Sequence, residues 1–136
     1  MSRTVSAELL RAWAEHLCRA RSSAPVDLAE ALGVPLDPLG VQLWPPPPGI
    51  TGSRVRGGDV PLVELELSDP LPLGELDRLL GAGNRLPRVD WDRPHVIAFT
   101  IAVAGAPWRC ILLASCDQPP APATPVARVA LRLDRA

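Results

Sequence analysis

The chain has no lysine and no tyrosine, one phenylalanine (Phe99), one asparagine (Asn84) and one methionine, at position 1. All 14 basic residues are therefore arginine. This is the residue usage of GC-rich codons, which points to a high-GC bacterium and weakens any argument that treats an arginine as specially chosen. Charge of one sign is also lacking. The 14 basic residues meet 15 acidic ones, for a net charge of −1, over 136 residues. That balance excludes a nucleic-acid binder working by bulk charge, and it excludes an acidic tail. No apolar run approaches the ~20 residues of a membrane span. The N-terminus, MSRTVSAELL, lacks the basic stretch and apolar core of a secretory signal.

Cysteine is scarce: Cys18, Cys110 and Cys116. Three is odd and too few for a disulfide scaffold, so a reducing cytoplasm is the expected setting. Cys110 and Cys116 share one face of a strand yet stand ~20 Å apart at ~3.3 Å per residue, so they cannot hold one ion or pair while the strand is straight. His16 and Cys18 point about 200° apart around a helix. No CxxC or HExxH occurs, and neither metal nor cofactor is expected. Cys18 and Cys110 read as small core residues. Cys116, at a strand end, is the one thiol placed to react, but Asp117 beside it would hold its proton on. Gly81-Ala82-Gly83 lacks a third glycine and follows a helix, so a dinucleotide loop fails. No serine lies in a GxSxG setting.

What remains is the pattern of a folded domain: 47% hydrophobic and 21% charged residues, with 17 prolines. Thr4 or Ser6 can cap a first helix whose apolar stripe is Leu9, Leu10, Trp13 and Leu17. Glu8–Arg11, Arg11–Glu15 and Glu15–Arg19 are its candidate ion pairs. A short helix from Val26 to Leu32 ends at Gly33. Val41 to Trp44 alternates like a short strand, and Pro45–Pro48 suits polyproline II. Gly49 to Asp59 reads as a loop or an irregular edge hairpin. Leu62 to Leu67 is a strand with Val63, Leu65 and Leu67 on one face and Glu64 and Glu66 on the other, stopped by Ser68-Asp69-Pro70. Leu73, Leu76, Leu79 and Leu80 stripe a helix over residues 72–80. Strands follow at 96–103, 108–115 and 126–133, the last with Ala127, Val129, Leu131 and Leu133 inward and Arg128 and Arg132 outward. Short links between them require antiparallel pairing. The expectation is one α+β domain: an N-terminal helical part (5–33) and a β-rich part (41–133), built as a two-layer sandwich. An antiparallel meander of four to five strands carries two to three helices on one face.

The densest functional chemistry lies between Arg85 and His95. Asp90, Asp92 and His95 are the residue types of an acid–base or divalent-metal site. The same stretch reads equally as a charged turn anchored by Trp91, or as a protein-contact loop built from Trp91, Arg88 and Arg93, since Trp and Arg are favoured hot-spot types. Trp44 with its prolines can serve as a proline-rich ligand or as a rigid connector. Pro25 to Pro35 opens like the first helix and turn of a helix-turn-helix unit, but Asp37-Pro38-Leu39-Gly40 and the proline run stand where a recognition helix should follow. With no complete catalytic constellation, the expected function is a non-catalytic protein-binding module, an accessory, chaperone or immunity-type protein. Its partner is another protein, not nucleic acid or membrane, and it could work as a homodimer. The expected contacts are Trp91, Arg88, Arg93 and Trp44. The alternative is a small enzyme or small-molecule binder with a pocket at Asp90, Asp92 and His95.

Overall fold

A computed structural model describes residues 5–88 and 93–136. The order of elements is α1 (Ala7–Cys18), α2 (Pro25–Leu32), β1 (Ile50–Arg56), β2 (Leu62–Pro72), α3 (Leu73–Leu80), β3 (Asn84–Arg85), β4 (His95–Ala102), β5 (Trp108–Cys116) and β6 (Pro125–Arg135). The class is α+β: three helices and a six-stranded antiparallel sheet in the order β1-β2-β6-β5-β4-β3. The expected count of four to five strands is thus corrected to six, and a plain meander is not what forms. Strands β3 to β6 do follow one another, but β6 then pairs with β2, far back in the chain.

Ser6 caps α1, its Oγ accepting from the Leu9 amide at 3.1 Å. The buried face of α1 is not centred where large side chains predict. Ala7, Leu10, Ala14, Leu17 and Cys18 are buried, whereas Trp13 packs at the margin and Leu9 is 36% exposed. Small residues at this face let the helix lie close to the sheet. Of the three expected ion pairs, Arg11–Glu15 is formed, at 3.5 Å and exposed. Pro25 opens α2, and Gly33, at φ 74°, closes it in the left-handed conformation that favours glycine.

The helices cover one face of the sheet. Val63, Leu65, Phe99, Leu112, Leu131 and Leu133 on that face join Leu10, Leu17, Leu28 and Leu76 of the helices in one buried cluster. Each fully buried leucine contributes ~2 kcal/mol of apolar burial. Trp108 ties the end of α1 to β5. Its indole N–H donates to Ala20 O at 3.1 Å, and the Arg135 guanidinium lies 5.2 Å from its ring centroid.

Pro70 does not stop β2, which ends at Pro72. The strand runs on through Ser68-Asp69-Pro70 because its register against β6 shifts there: Glu66 pairs with Arg128 and Leu71 with Val126, so residues 67–70 oppose Ala127 alone. Inside such a bulge a proline's missing N–H breaks no ladder bond. The same shift turns Val126 inward and leaves Ala127 exposed, reversing the expected role of Ala127. Gly49 to Asp59 contains a true edge strand, β1, paired with β2 from Ile50 to Arg56. Val41 to Trp44, in contrast, supplies only an isolated bridge, Leu36 to Leu43. The Trp44–Pro45 bond is cis, which departs from a regular polyproline II run.

Helix α3 has no side-chain cap. Its first amides are satisfied across the molecule, Leu73 N donating to Thr124 O at 2.9 Å and Gly74 N to Pro122 O at 2.8 Å. Thr124 holds that loop in shape. Its buried hydroxyl accepts from Ala121 N at 2.9 Å and donates to Pro119 O at 2.8 Å. Replacing Thr124 by valine leaves both groups without their partner and should lower stability by about 1–3 kcal/mol, with Thr124→Ser close to wild type. Gly83→Ala should cost a similar ~1–3 kcal/mol by overpacking, because a Cβ there would stand 2.4 Å from Ile97 Cγ2 and 2.8 Å from Phe99 Cε1. Urea denaturation of each variant checks both.

Candidate functional site

The face of the sheet opposite the helices is uncovered, and strand register decides what stands on it. One row across the strands is Arg54, Glu64, Ala130, Leu113 and Ala98; the next is Gly52, Glu66, Arg128, Ser115 and Val96. Ile111 lies on this face too. It is 8% exposed and stands apart from the main buried cluster, beside Arg132, which is held by Asp134 at 3.1 and 3.3 Å.

These rows line a trough of about 580 Å3 that crosses five strands, from Gln42 beside β1 to Pro94 and Val96 at β4. Four strand spacings of ~4.8 Å make it ~19 Å long. Its two ends differ. The β1–β2 end is charged, with Arg54, Glu64 and Glu66. Among the described residues no ion pair engages any of the three. Gly52 makes room for one of the carboxylates: Glu66 Oε2 is 3.3 Å from the point where a Cβ on Gly52 would stand. Arg128, at the middle, is drawn to Asp117 at 3.6 Å. The β5–β4 end carries no charge and is lined by Leu113, Ser115, Pro94 and Val96.

Each end of the trough meets a segment that the sequence singles out. At one end lies Trp44, 54% exposed. Its backbone is fixed by a web of bonds: Trp44 N donates to Pro35 O at 2.9 Å, Leu43 N to Ser53 Oγ at 2.9 Å, and Val55 N to Val41 O at 2.8 Å. Asp37 pins the turn, accepting from Val41 N at 2.9 Å, and these amide bonds hold its carboxyl below the usual range. Beyond Pro94 at the other end, and on the helix side of the sheet where register puts His95 with Cys116, lies Arg88. Its Nε donates to Arg93 O at 3.1 Å and its Nη1 to His95 Nε2 at 3.0 Å. An arginine only donates, so His95 Nε2 accepts here and the ring proton sits on Nδ1. A metal at that nitrogen would displace the guanidinium. The structure thus brings Arg88, Arg93 and His95 together, with Arg93 exposed. Asp90, Trp91 and Asp92 lie outside the described residues. Among the described residues, no three of His, Cys, Asp and Glu group closely enough to hold a metal ion.

The tryptophans divide. Trp108 is spent on the core and Trp13 is partly buried against it, which leaves Trp44 as the exposed anchor among the described residues. The cysteines are all buried and unpaired, Cys116 included. Its expected accessibility is therefore corrected: the strand end tucks under the helical layer's face of the sheet. Burial pushes the Cys116 thiol up, and Asp117 adds to it. Burial also raises Cys18 and Cys110, the latter further raised by its neighbour Cys18.

The trough itself is what the sequence does not disclose. The alternation of β2 places Glu64 and Glu66 outward, and that of β6 places Arg128 outward, but no local signal says that these strands are neighbours. No helix among the described residues is long and apolar enough to cross a membrane. The chain matches no family model, no curated protein and no solved structure.

Without lysine or tyrosine, the groups that titrate between roughly pH 8 and 11 are the thiols and an α-amino group. The unfolded chain releases thiol protons near the ordinary value of 9.0, while the folded chain retains them. The native state then binds more protons than the unfolded one, so stability falls as pH rises past that value. Urea unfolding should give a flat stability from pH 7 to 8 and a decline above about pH 9. A thiol reagent should find no fast-reacting cysteine in the native protein at neutral pH.

Proposed function

We propose that the chain is a non-catalytic protein-binding module whose contact surface is the uncovered sheet face together with the flanking segments that carry Trp44 and Arg88 with Arg93. One observation carries this reading. A trough of about 580 Å3 crosses the uncovered face from Gln42, two residues from Trp44, to Pro94, next to Arg93.

Three further features support it. The trough sets an uncharged end, lined by Leu113, Ser115, Pro94 and Val96, beside a charged one, lined by Arg54, Glu64 and Glu66, so it offers both apolar and polar contacts. Trp44 stands on a backbone held by four hydrogen bonds to its neighbours and to β1, so little ordering is lost when it is covered. The thiols are buried and hold their protons, and His95 Nε2 is engaged by Arg88, which leaves these groups poorly placed to act as nucleophile or base. Three unpaired thiols suit a reducing cytoplasm. The partner class is a protein, in an accessory, chaperone or immunity-type role.

Affinity capture from the host, compared between wild type and Trp44→Ala with Arg93→Glu, tests the surface. A true partner should be retained by wild type and reduced ~30-fold or more in the double variant, as for a pair of hot-spot residues worth ~2 kcal/mol. The same proteins recovered equally with both forms, while circular dichroism shows both folded, would count against the reading.

A further inference from the structure

The trough's shape and charge say more about its occupant than that it is a protein. Along each strand the trough spans about three residues: Gly52–Arg54, Glu64–Glu66 and Arg128–Ala130, then Leu113 with Ser115, and Pro94 with Val96 at the start of β4. Three residues with their side chains make a width of about 10 Å, close to the 10–12 Å diameter of an α-helix. The ~19 Å length equals about 13 helical residues at ~1.5 Å each. An extended peptide laid on a sheet face would leave its backbone groups unmet there, whereas a helix satisfies its own. A second copy of this chain would present another hollow, and two hollows facing each other enclose a void instead of packing.

Charge sets the direction. With Arg128 drawn to Asp117, two unpaired carboxylates, Glu64 and Glu66, face one unpaired guanidinium, Arg54. They sit on one face of β2, two residues apart, so a single basic side chain lying between them meets both. The far half, Leu113, Ser115, Pro94 and Val96, carries no charge and asks mainly for apolar side chains.

Resting on the binding-module reading above, we propose that the trough receives an amphipathic helix of a protein partner. The helix carries an arginine or lysine at the end over Glu64 and Glu66, and apolar residues at i, i+3 or i+4 spacing over Ala130, Leu113 and Val96. Polarised in this way, the trough accepts the helix in one orientation. This is helix-in-groove recognition, with the groove made from the open side of a sheet.

A displayed library of random 14-residue peptides, selected on the wild-type protein, is the probe. Enriched peptides should carry one basic residue on one side of an apolar i, i+3 or i+4 pair, and should gain helical circular dichroism on binding. Glu64→Lys with Glu66→Lys should weaken them at least tenfold, and raising salt from 50 to 500 mM should weaken them several-fold. Leu113→Glu should abolish binding; should that variant fail to fold, the glutamate pair, whose side chains are outside the buried core, still decides. The assignment is overturned by an absence of enriched peptides, by enriched peptides without a basic residue, or by affinities unchanged in the glutamate variant. Peptides lost on Trp44→Ala with Arg93→Glu but indifferent to the trough variants would leave the binding module standing and remove the helix. Concentration-dependent dimerisation that Leu113→Glu blocks would assign the face to a second copy and overturn the proposal as well.

Discussion

Residues Leu62 to Glu66 of β2 and Arg128 to Arg132 of β6 are hydrogen-bonded neighbours drawn from the middle and the end of the chain. Every other feature depends on this ladder. It converts a two-stranded hairpin and a four-stranded run into one six-stranded sheet, and so broadens the floor on which the helices lie. It buries Val63, Leu65, Val129 and Leu131 against each other on one side. On the other side it sets Glu64 and Glu66 beside Ala130 and Arg128, which creates the charged half of the trough. The bulge at residues 67–70 belongs to the same constraint. It lets β2 accommodate a proline while still delivering Leu71 and Pro72 opposite Val126 and Pro125, where α3 begins.

The helical layer is fitted to that sheet by small contacts. Alanines at positions 7 and 14 and a cysteine at 18 bring α1 close, and the Cys18 thiol donates to Ile101 O at 3.6 Å. Trp108 reaches back to Ala20 from the sheet. Helix α3 takes its cap from the loop that follows β5, so the loop's shape, set by Thr124, and the helix's start are one unit. Among the described residues, no buried side-chain polar atom is left without a hydrogen-bond partner. A chain this rich in proline and poor in amide side chains meets that condition by using backbone carbonyls, not asparagine or glutamine, as its acceptors.

One face is closed by helices, and the other is left open, charged at its β1–β2 end and uncharged at its β5–β4 end. The opening is bounded by two segments built very differently. The Trp44 segment is pinned by backbone bonds to β1 and by Asp37. The segment beyond Pro94 is held by the Arg88 side chain, forked between Arg93 O and His95 on the helix side of the sheet. That fork also explains why the histidine is better read as part of a scaffold than as a reacting group: its Nε2 lone pair already has a partner, and that partner carries a positive charge.

Local chemistry made several elements legible from residues alone. Ser6 ahead of an apolar stripe starts α1. Gly33 after Leu32 stops α2. The alternation of Val63, Leu65 and Leu67 marks β2, and the short links around β5 dictate antiparallel pairing. These follow from dihedral preference, side-chain period and chain length, which act over a few residues and leave their mark on a few residues. The sequence also offered Trp44, Arg88, Arg93 and His95 by type, without saying how they are arranged. Only tertiary structure decided that Trp108 and Trp13 belong with the core and Trp44 does not, that Pro70 sits harmlessly in a bulge, that Ala127 turns outward, and that β6 lies between β2 and β5. Strand order and register are set by which long-range pairing buries the most apolar surface at once. That sum is taken over the whole chain, so the trough it produces has no signature in any one stretch of it.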